Sequence, residues 1–188
     1  PYAITKLLGE QYCKFYAKFH NLPVTITRLF NSYGPGEQPG KYRNVIPNFF
    51  QKATQGESLI ITGTGQETRD FTYVDDVVEA IGRVIEAAPA PNPNWDAENP
   101  DASTSSAPYK LYNIGNHQPV ALIDFIECIE KVTGKKAKKE MLPIQPGDVQ
   151  ATFADVSGLE NDFNFKPFTP LEKGIENFVN WYKNYYKI

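Results

Sequence analysis

The sequence predicts an α/β chain, and three observations predict it. Segments of helical period alternate with short β-branched runs along the whole length. The 188 residues suffice for a domain with a real core. With 41% hydrophobic and 22% charged residues, the composition is that of a folded globular chain rather than a disordered one.

The elements follow in order. Leu7, Leu8, Tyr12, Phe15, Tyr16 and Phe19 recur at helical spacing, so residues 2–20 should form a helix that Asn21-Leu22-Pro23 ends. Val24 to Phe30 is rich in β-branched residues and reads as a strand, and Asn31 to Gly36 breaks it into a loop. A short helix fits residues 45–55. Leu59-Ile60-Ile61 reads as a strand ended by Gly63 and Gly65, and Phe71 to Val74 as a short extended piece. Asp75 and Asp76 should open an amphipathic helix through Val77, Val78, Ile81, Val84 and Ile85, where acidic residues suit the helix dipole. Residues 88–108 hold Pro, Asn, Ser and Ala with no period, and are expected as an exposed loop. Lys110 to Ile114 reads as a strand and Ala121 to Val132 as a helix, with Gly134 beyond its end. In the last helix Thr169 is the expected cap, Pro170 the first helical residue and Glu172 the other half of a capping box.

Composition excludes several classes. The net charge of -3 gives no basic nucleic-acid surface, and no apolar run approaches the length of a membrane span. The basic run Lys135-Lys136-Ala137-Lys138-Lys139 is expected to be a solvated face. Cys13 and Cys128 make neither a metal spacing nor a redox pair, which fits free thiols in a reducing cytoplasm. His20 and His117 match no catalytic pattern and read as structural. The chain opens on Pro1 inside a helical pattern, so it is expected to be a piece of a longer protein.

Chemistry points first to Tyr2 and Lys6. Four residues apart on a helix, they share a face. A free tyrosine ionises at about pH 10, and a neighbouring ammonium favours its phenolate, the form that can act as a general base. The spacing alone is weak evidence, because many helices contain such a pair by accident. The surroundings are more specific. Tyr2-Ala3-Ile4-Thr5-Lys6 is followed by Glu10, by Arg28-Leu29-Phe30-Asn31-Ser32-Tyr33-Gly34-Pro35, and by Gly63-x-Gly65 leading to Arg69-Asp70-Phe71-x-Tyr73-Val74-x-Asp76. Tyr112-Asn113-Ile114-Gly115 and Pro146-Gly147-Asp148 continue the series.

In that order and spacing the chain resembles the extended short-chain dehydrogenase/reductase family, the NAD-dependent nucleotide-sugar epimerases and dehydratases. The resemblance covers almost the whole sequence. It implies the C-terminal part of such a protein: a remnant of the NAD-binding Rossmann domain in residues 1–35, and a small α/β substrate-binding domain in residues 36–188. It implies that Tyr2 is the catalytic base, that Lys6 is its partner and touches the nicotinamide ribose, and that Phe30 lies by the nicotinamide. It places Asn31 and Arg69 on the substrate diphosphate, Asn44 and Val45 on the nucleotide, Ile60 and Thr62 beside the uracil, and Asp148 on the ribose. Gln145 stands where many relatives have an arginine, and Thr62 where many have an aromatic. The implied cofactor is NAD. The implied partners are a UDP-sugar and a second copy of the chain, docked through the helix that carries Tyr2.

Within the family, the stretches Ala107 to Asn116, Met141 to Val149 and Phe178 to Tyr182 resemble UDP-glucuronate 4-epimerases, which work through a 4-keto intermediate. Asn31 and Gln38 depart from that group, which usually has threonine and arginine there, and look more like neutral-sugar epimerases. UDP-glucuronate therefore ranks first among the substrates. A 4,6-dehydratase or decarboxylase of the same family, and a non-catalytic nucleotide-sugar-binding fragment, stay open. No glycine-rich dinucleotide turn occurs in these residues, so the chain alone is expected to be inactive.

Overall fold

The computed structural model describes residues 1–40 and 45–188; Asn44 lies outside them. Six helices and eight strands alternate through these residues: α1 (Tyr2–His20), β1 (Val24–Leu29), β2 (Ser32–Tyr33), α2 (Val45–Gln55), β3 (Ser58–Thr62), β4 (Thr68–Asp70), β5 (Thr72–Tyr73), α3 (Val74–Ile85), β6 (Tyr109–Ile114), β7 (Pro119–Ala121), α4 (Leu122–Thr133), β8 (Lys138–Leu142), α5 (Ser157–Phe163) and α6 (Leu171–Tyr186). The strands pair as β1 with β6, β2 with β5 and β3 with β8, all parallel, and as β4 with β7, antiparallel. The α/β class and the period-based elements are as expected, within a residue or two at their ends.

β6 divides the packing, because successive side chains of a strand face opposite ways. Tyr109 and Leu111 join Ala17 of α1 and Ala107 in a small cluster, with Val24 and Ile26 of β1 against it. Tyr112 and Ile114 face the other way, into a cluster with Val77, Ala80 and Val84 of α3, Leu159 of α5 and Phe165. The largest core lies elsewhere. Phe50, Leu59, Ile61, Phe71, Phe125, Ile129, Ile175 and Phe178 draw α2, β3, α4 and α6 together.

The basic run is exposed, as expected, and it also has a structural role: Lys138 and Lys139 open β8. Burial of the Glu130 carboxylate, 2% exposed, would raise its pKa, but hydrogen bonds from Lys136 and Lys139 (2.7 Å each) and from the Ala137 N–H (3.0 Å) outweigh that and hold it at about 2. One expectation needs correction: the capping box does not form. Pro170, with φ -60° and ψ 143°, is the cap residue of α6, and no side chain caps this end. The Thr169 and Phe168 N–H groups donate instead to the buried Asp76 carboxylate of α3 (2.9 and 3.2 Å), while Glu172 pairs with Lys131 of α4 at 2.8 Å. A tertiary partner has displaced a local one.

The 88–108 segment is largely exposed but internally tied. The Asp101 carboxylate accepts from the Ser103 N–H, the Ser103 hydroxyl and the Thr104 hydroxyl, Trp95 Nε1 donates to the Asp101 carbonyl, and Ala107 and Pro108 are buried.

Candidate active site

Tyr2 and Lys6 occupy the first turns of α1, with Lys6 Nζ 5.4 Å from the centre of the Tyr2 ring. The Thr5 hydroxyl donates to the Tyr2 carbonyl at 2.7 Å, and Tyr2 is 75% exposed. The pair opens on a cavity of about 550 Å³ between α1 and β1, lined also by Glu10, Cys13, Ile26 and Arg28. Glu10 and Arg28 close its side with two hydrogen bonds of 2.7 Å, from Nε to Oε1 and from Nη2 to Oε2. The bond from Arg28 holds the Glu10 carboxyl below its ordinary value.

β1 delivers the next two residues. The Phe30 N–H donates to the Ile114 carbonyl at 3.0 Å, so the chain leaves the strand in a fixed direction. Asn31 is anchored by backbone: its Nδ2 donates to the Asp70 carbonyl (3.1 Å) and its carbonyl accepts from the Thr72 N–H (3.2 Å). Asp70 organises this neighbourhood and is fully buried. Its carboxylate accepts from the N–H groups of Asn116 (2.7 Å), His117 (3.2 Å) and Ala154 (3.1 Å). A β-carbon at Gly115 would run into Ala154 and the Asp70 carboxylate, which is why that turn needs glycine. His117 Nδ1 lies 3.1 Å from the Ala154 carbonyl.

The described residues expected at the nucleotide lie on β3, on β4, at the start of α2 and in the turn after β8. Ile60 and Thr62 lie on β3, Ile60 being 45% exposed. Gln145-Pro146-Gly147-Asp148 is a tight turn, closed by the Asp148 N–H on the Gln145 carbonyl (3.1 Å), with Gly147 at φ 93° as a type II turn requires. This turn brings Asp148 Oδ2 within 3.5 Å of the Thr62 hydroxyl. On β4, Arg69 Nη1 donates to the Thr68 carbonyl at 2.9 Å and reaches the Gln150 carbonyl at 3.4 Å, and among the described residues the rest of the guanidinium fork makes no hydrogen bond. Arg69 and Asn31 are thus joined through Asp70. Val45 begins α2 half-buried against the main core. Among the described residues, no hydrogen bond or ion pair joins Tyr2 or Lys6 to this second group.

Glu67 was not singled out in the sequence, yet it shapes the turn before Arg69. Its carboxylate accepts from the Thr64 N–H (3.0 Å), the Gly65 N–H (2.8 Å) and the Thr64 hydroxyl (3.2 Å), and the Thr64 backbone above all lowers its pKa. The Glu67 and Gly65 carbonyls then accept the first N–H groups of α4. A carboxylate three residues beyond Thr64 in a glycine turn is a local signal that could have marked it.

A Tyr-x-x-x-Lys helix beside a parallel strand pair, followed by an α/β body that carries the motif arginine, defines a short-chain dehydrogenase of the nucleotide-sugar type. The chain belongs to the NAD dependent epimerase/dehydratase family, which matches residues 1–97. Protein CapI of Staphylococcus aureus is 42% identical over 186 residues, or 99% of this chain and 55% of that protein. The probable UDP-glucuronate 4-epimerase of Rhizobium meliloti (strain 1021) is 37% identical over 187 residues, or 99% of this chain and 54% of that protein. The UDP-glucuronic acid 4-epimerase from Bacillus cereus, solved with UDP-glucuronic acid and NAD, superposes with a TM-score of 0.81 at 30% identity, over 99% of this chain and 53% of that one. The chain therefore spans about half the length of the relatives it matches. No helix among its described residues is long and apolar enough to cross a membrane.

Proposed function

We propose that this chain supplies the catalytic tyrosine–lysine pair and the nucleotide-sugar site of an NAD-dependent UDP-sugar 4-epimerase, with UDP-glucuronate as the first substrate. The observation that carries the reading is the Tyr2–Lys6 pair, lining a cavity of about 550 Å³ in a chain of the epimerase/dehydratase family. The 37% identity to a probable UDP-glucuronate 4-epimerase supports the substrate.

The cavity suits the nicotinamide end of NAD. It offers a phenol, an ammonium and the apolar Ile26 and Leu29 in one place. Tyr2 and Lys6 would hold the ribose there, and Phe30 would lie against the ring. NAD, when bound, supplies the oxidation and re-reduction that interconvert the C4 alcohol and the 4-keto sugar. Tyr2 takes the proton of the C4 hydroxyl and later returns it. Lys6 keeps that proton transfer in reach by favouring a negative oxygen beside it. Arg69 and Asn31 grip the diphosphate, the hinge about which the sugar must turn. Ile60 and Thr62 flank the uracil, Asp148 bonds the ribose, Gln145 adds a neutral donor, and Asn44 and Val45 complete the nucleotide site. Residues 1–35 then act as the base-bearing unit and 36–188 as the substrate unit. Activity belongs to the whole protein, in a reducing cytoplasm, and a second copy docks on α1.

One observation favours a competing substrate. Gln38 Nε2 donates to the Tyr185 hydroxyl at 3.2 Å and offers no cation for a sugar carboxylate, which suits a neutral UDP-hexose. The test is the whole enzyme against UDP-glucuronate and neutral UDP-hexoses, with Tyr2→Phe beside wild type. We expect turnover to fall about 1,000-fold in the variant while the UDP-sugar still binds. Undiminished turnover would refute the role of Tyr2. Binding without turnover in the wild type would leave a nucleotide-sugar-binding protein.

A further inference from the structure

Within these residues α1 buries only Ala17. Among the described residues, the only side-chain hydrogen bonds from α1 to the rest of the chain are the two between Arg28 and Glu10. They meet edge to edge, and such a bidentate contact fixes orientation as well as distance. The Glu10 side chain is only 15% exposed, and a carboxylate so far from water is stable there because it is paired. Glu10 follows Tyr2 and Lys6 at steps of four along α1, and all three line the same cavity. Arg28 stands two residues before Phe30 and three before Asn31 on the strand that leads into the candidate site.

Among the described residues, no other side chain hydrogen-bonds to Glu10. The Tyr109 hydroxyl is buried without a hydrogen-bond partner among them, and burial, with the Glu10 charge, pushes its pKa up to about 12. It stays neutral and supplies no countercharge for Arg28. Lys14 Nζ lies over the Tyr109 ring, 5.2 Å from its centre, and adds its charge to the Glu10 neighbourhood without a hydrogen bond.

We propose that Glu10 and Arg28 are positioning residues, whose bidentate pair sets the distance between the helix carrying Tyr2 and Lys6 and the strand delivering Phe30 and Asn31. The proposal rests on the functional reading above. Ile60, Thr62, Arg69 and Asp148 are anchored through β3, β4 and the main core, away from this clamp. Loosening the clamp therefore misplaces the base and leaves the nucleotide grip unchanged. A misplacement of about 1 Å is enough to slow a reaction roughly 100-fold.

Two measurements test it. In the whole enzyme, Glu10→Gln and Arg28→Lys should each lower kcat about 30- to 100-fold, with KM for the UDP-sugar within about threefold of wild type. Combining Glu10→Arg with Arg28→Glu should recover about tenfold over the weaker single variant. In the 188-residue chain itself, Glu10→Gln should speed hydrogen exchange at the α1 amides from Lys6 to Lys14 about tenfold, while Ile175 to Val179 in α6 keep their wild-type rates. A wild-type kcat in either single variant, a change confined to KM, or unchanged exchange in α1 would overturn the proposal. If the wild-type enzyme turns over no UDP-sugar, the functional reading fails, and the exchange measurement still decides whether the pair holds α1.

Discussion

α1 and α6 are both amphipathic helices, and they end in opposite circumstances. α6 buries Gly174, Ile175, Phe178, Val179 and Tyr182 against α2, β3 and α4. α1 carries as many large apolar side chains, yet Tyr2, Ile4, Leu7, Leu8, Tyr12, Phe15, Tyr16 and Phe19 are all exposed. The pattern of a helix says which face seeks cover; it does not say what provides it. The difference also separates two tasks. The proposed base sits on a helix that buries little within these residues, and the proposed nucleoside residues sit on the main core. Among the described residues, the Arg28 pair supplies the only side-chain hydrogen bonds from α1 to the rest of the chain, whereas α6 is held by its apolar face.

Core truncation should break the comparison most severely if it is wrong. Phe178→Ala removes a fully buried ring that packs on Phe50 at 5.7 Å and should cost about 3–5 kcal/mol in urea unfolding. Next comes the ion pair cluster at Glu130. Its carboxyl is held at about 2, below its unfolded value, so its contribution is present at neutral pH and is lost as the pH falls from about 5 toward 2. Wild type should lose on the order of 2 kcal/mol over that window from this group. Glu130→Gln should be weaker at neutral pH and lack that component of the acid dependence, read by urea unfolding at pH 7 and pH 3. The smallest effect belongs to α1. Leu7, 56% exposed, should tolerate Leu7→Ala within about 0.5 kcal/mol. A loss comparable to that of Phe178→Ala would show α1 to be as well held as α6.

Much of this was legible in the sequence where the signal is local. The period of α1, the β-branched run of β1, and the spacing from Tyr2 to Lys6 and on to Arg69 are read directly from neighbouring residues. β8 was not, because Lys138 to Leu142 are charged or exposed and the strand exists through backbone pairing with β3, far upstream. The cap of α6 was misread for a related reason: Asp76, more than ninety residues earlier, takes the N–H groups that the local motif would have used. Asp70 and Glu10 stood inside recognised motifs, yet their roles depend on Asn116 and Ala154 in one case and on Arg28 in the other. Such long-range hydrogen bonds leave no period to read. Of the residues proposed for the nucleotide, Thr62 and Asp148 do come together, through a turn whose Pro-Gly pair the sequence displays.

The most direct measurement is turnover of UDP-glucuronate by the whole protein with NAD, followed by separation of the two C4 epimers. We predict that UDP-galacturonate accumulates to equilibrium with the starting sugar nucleotide and that Tyr2→Phe slows its formation about 1,000-fold. Recovery of unchanged UDP-glucuronate, or release of carbon dioxide in place of an epimer, would contradict the proposed 4-epimerase.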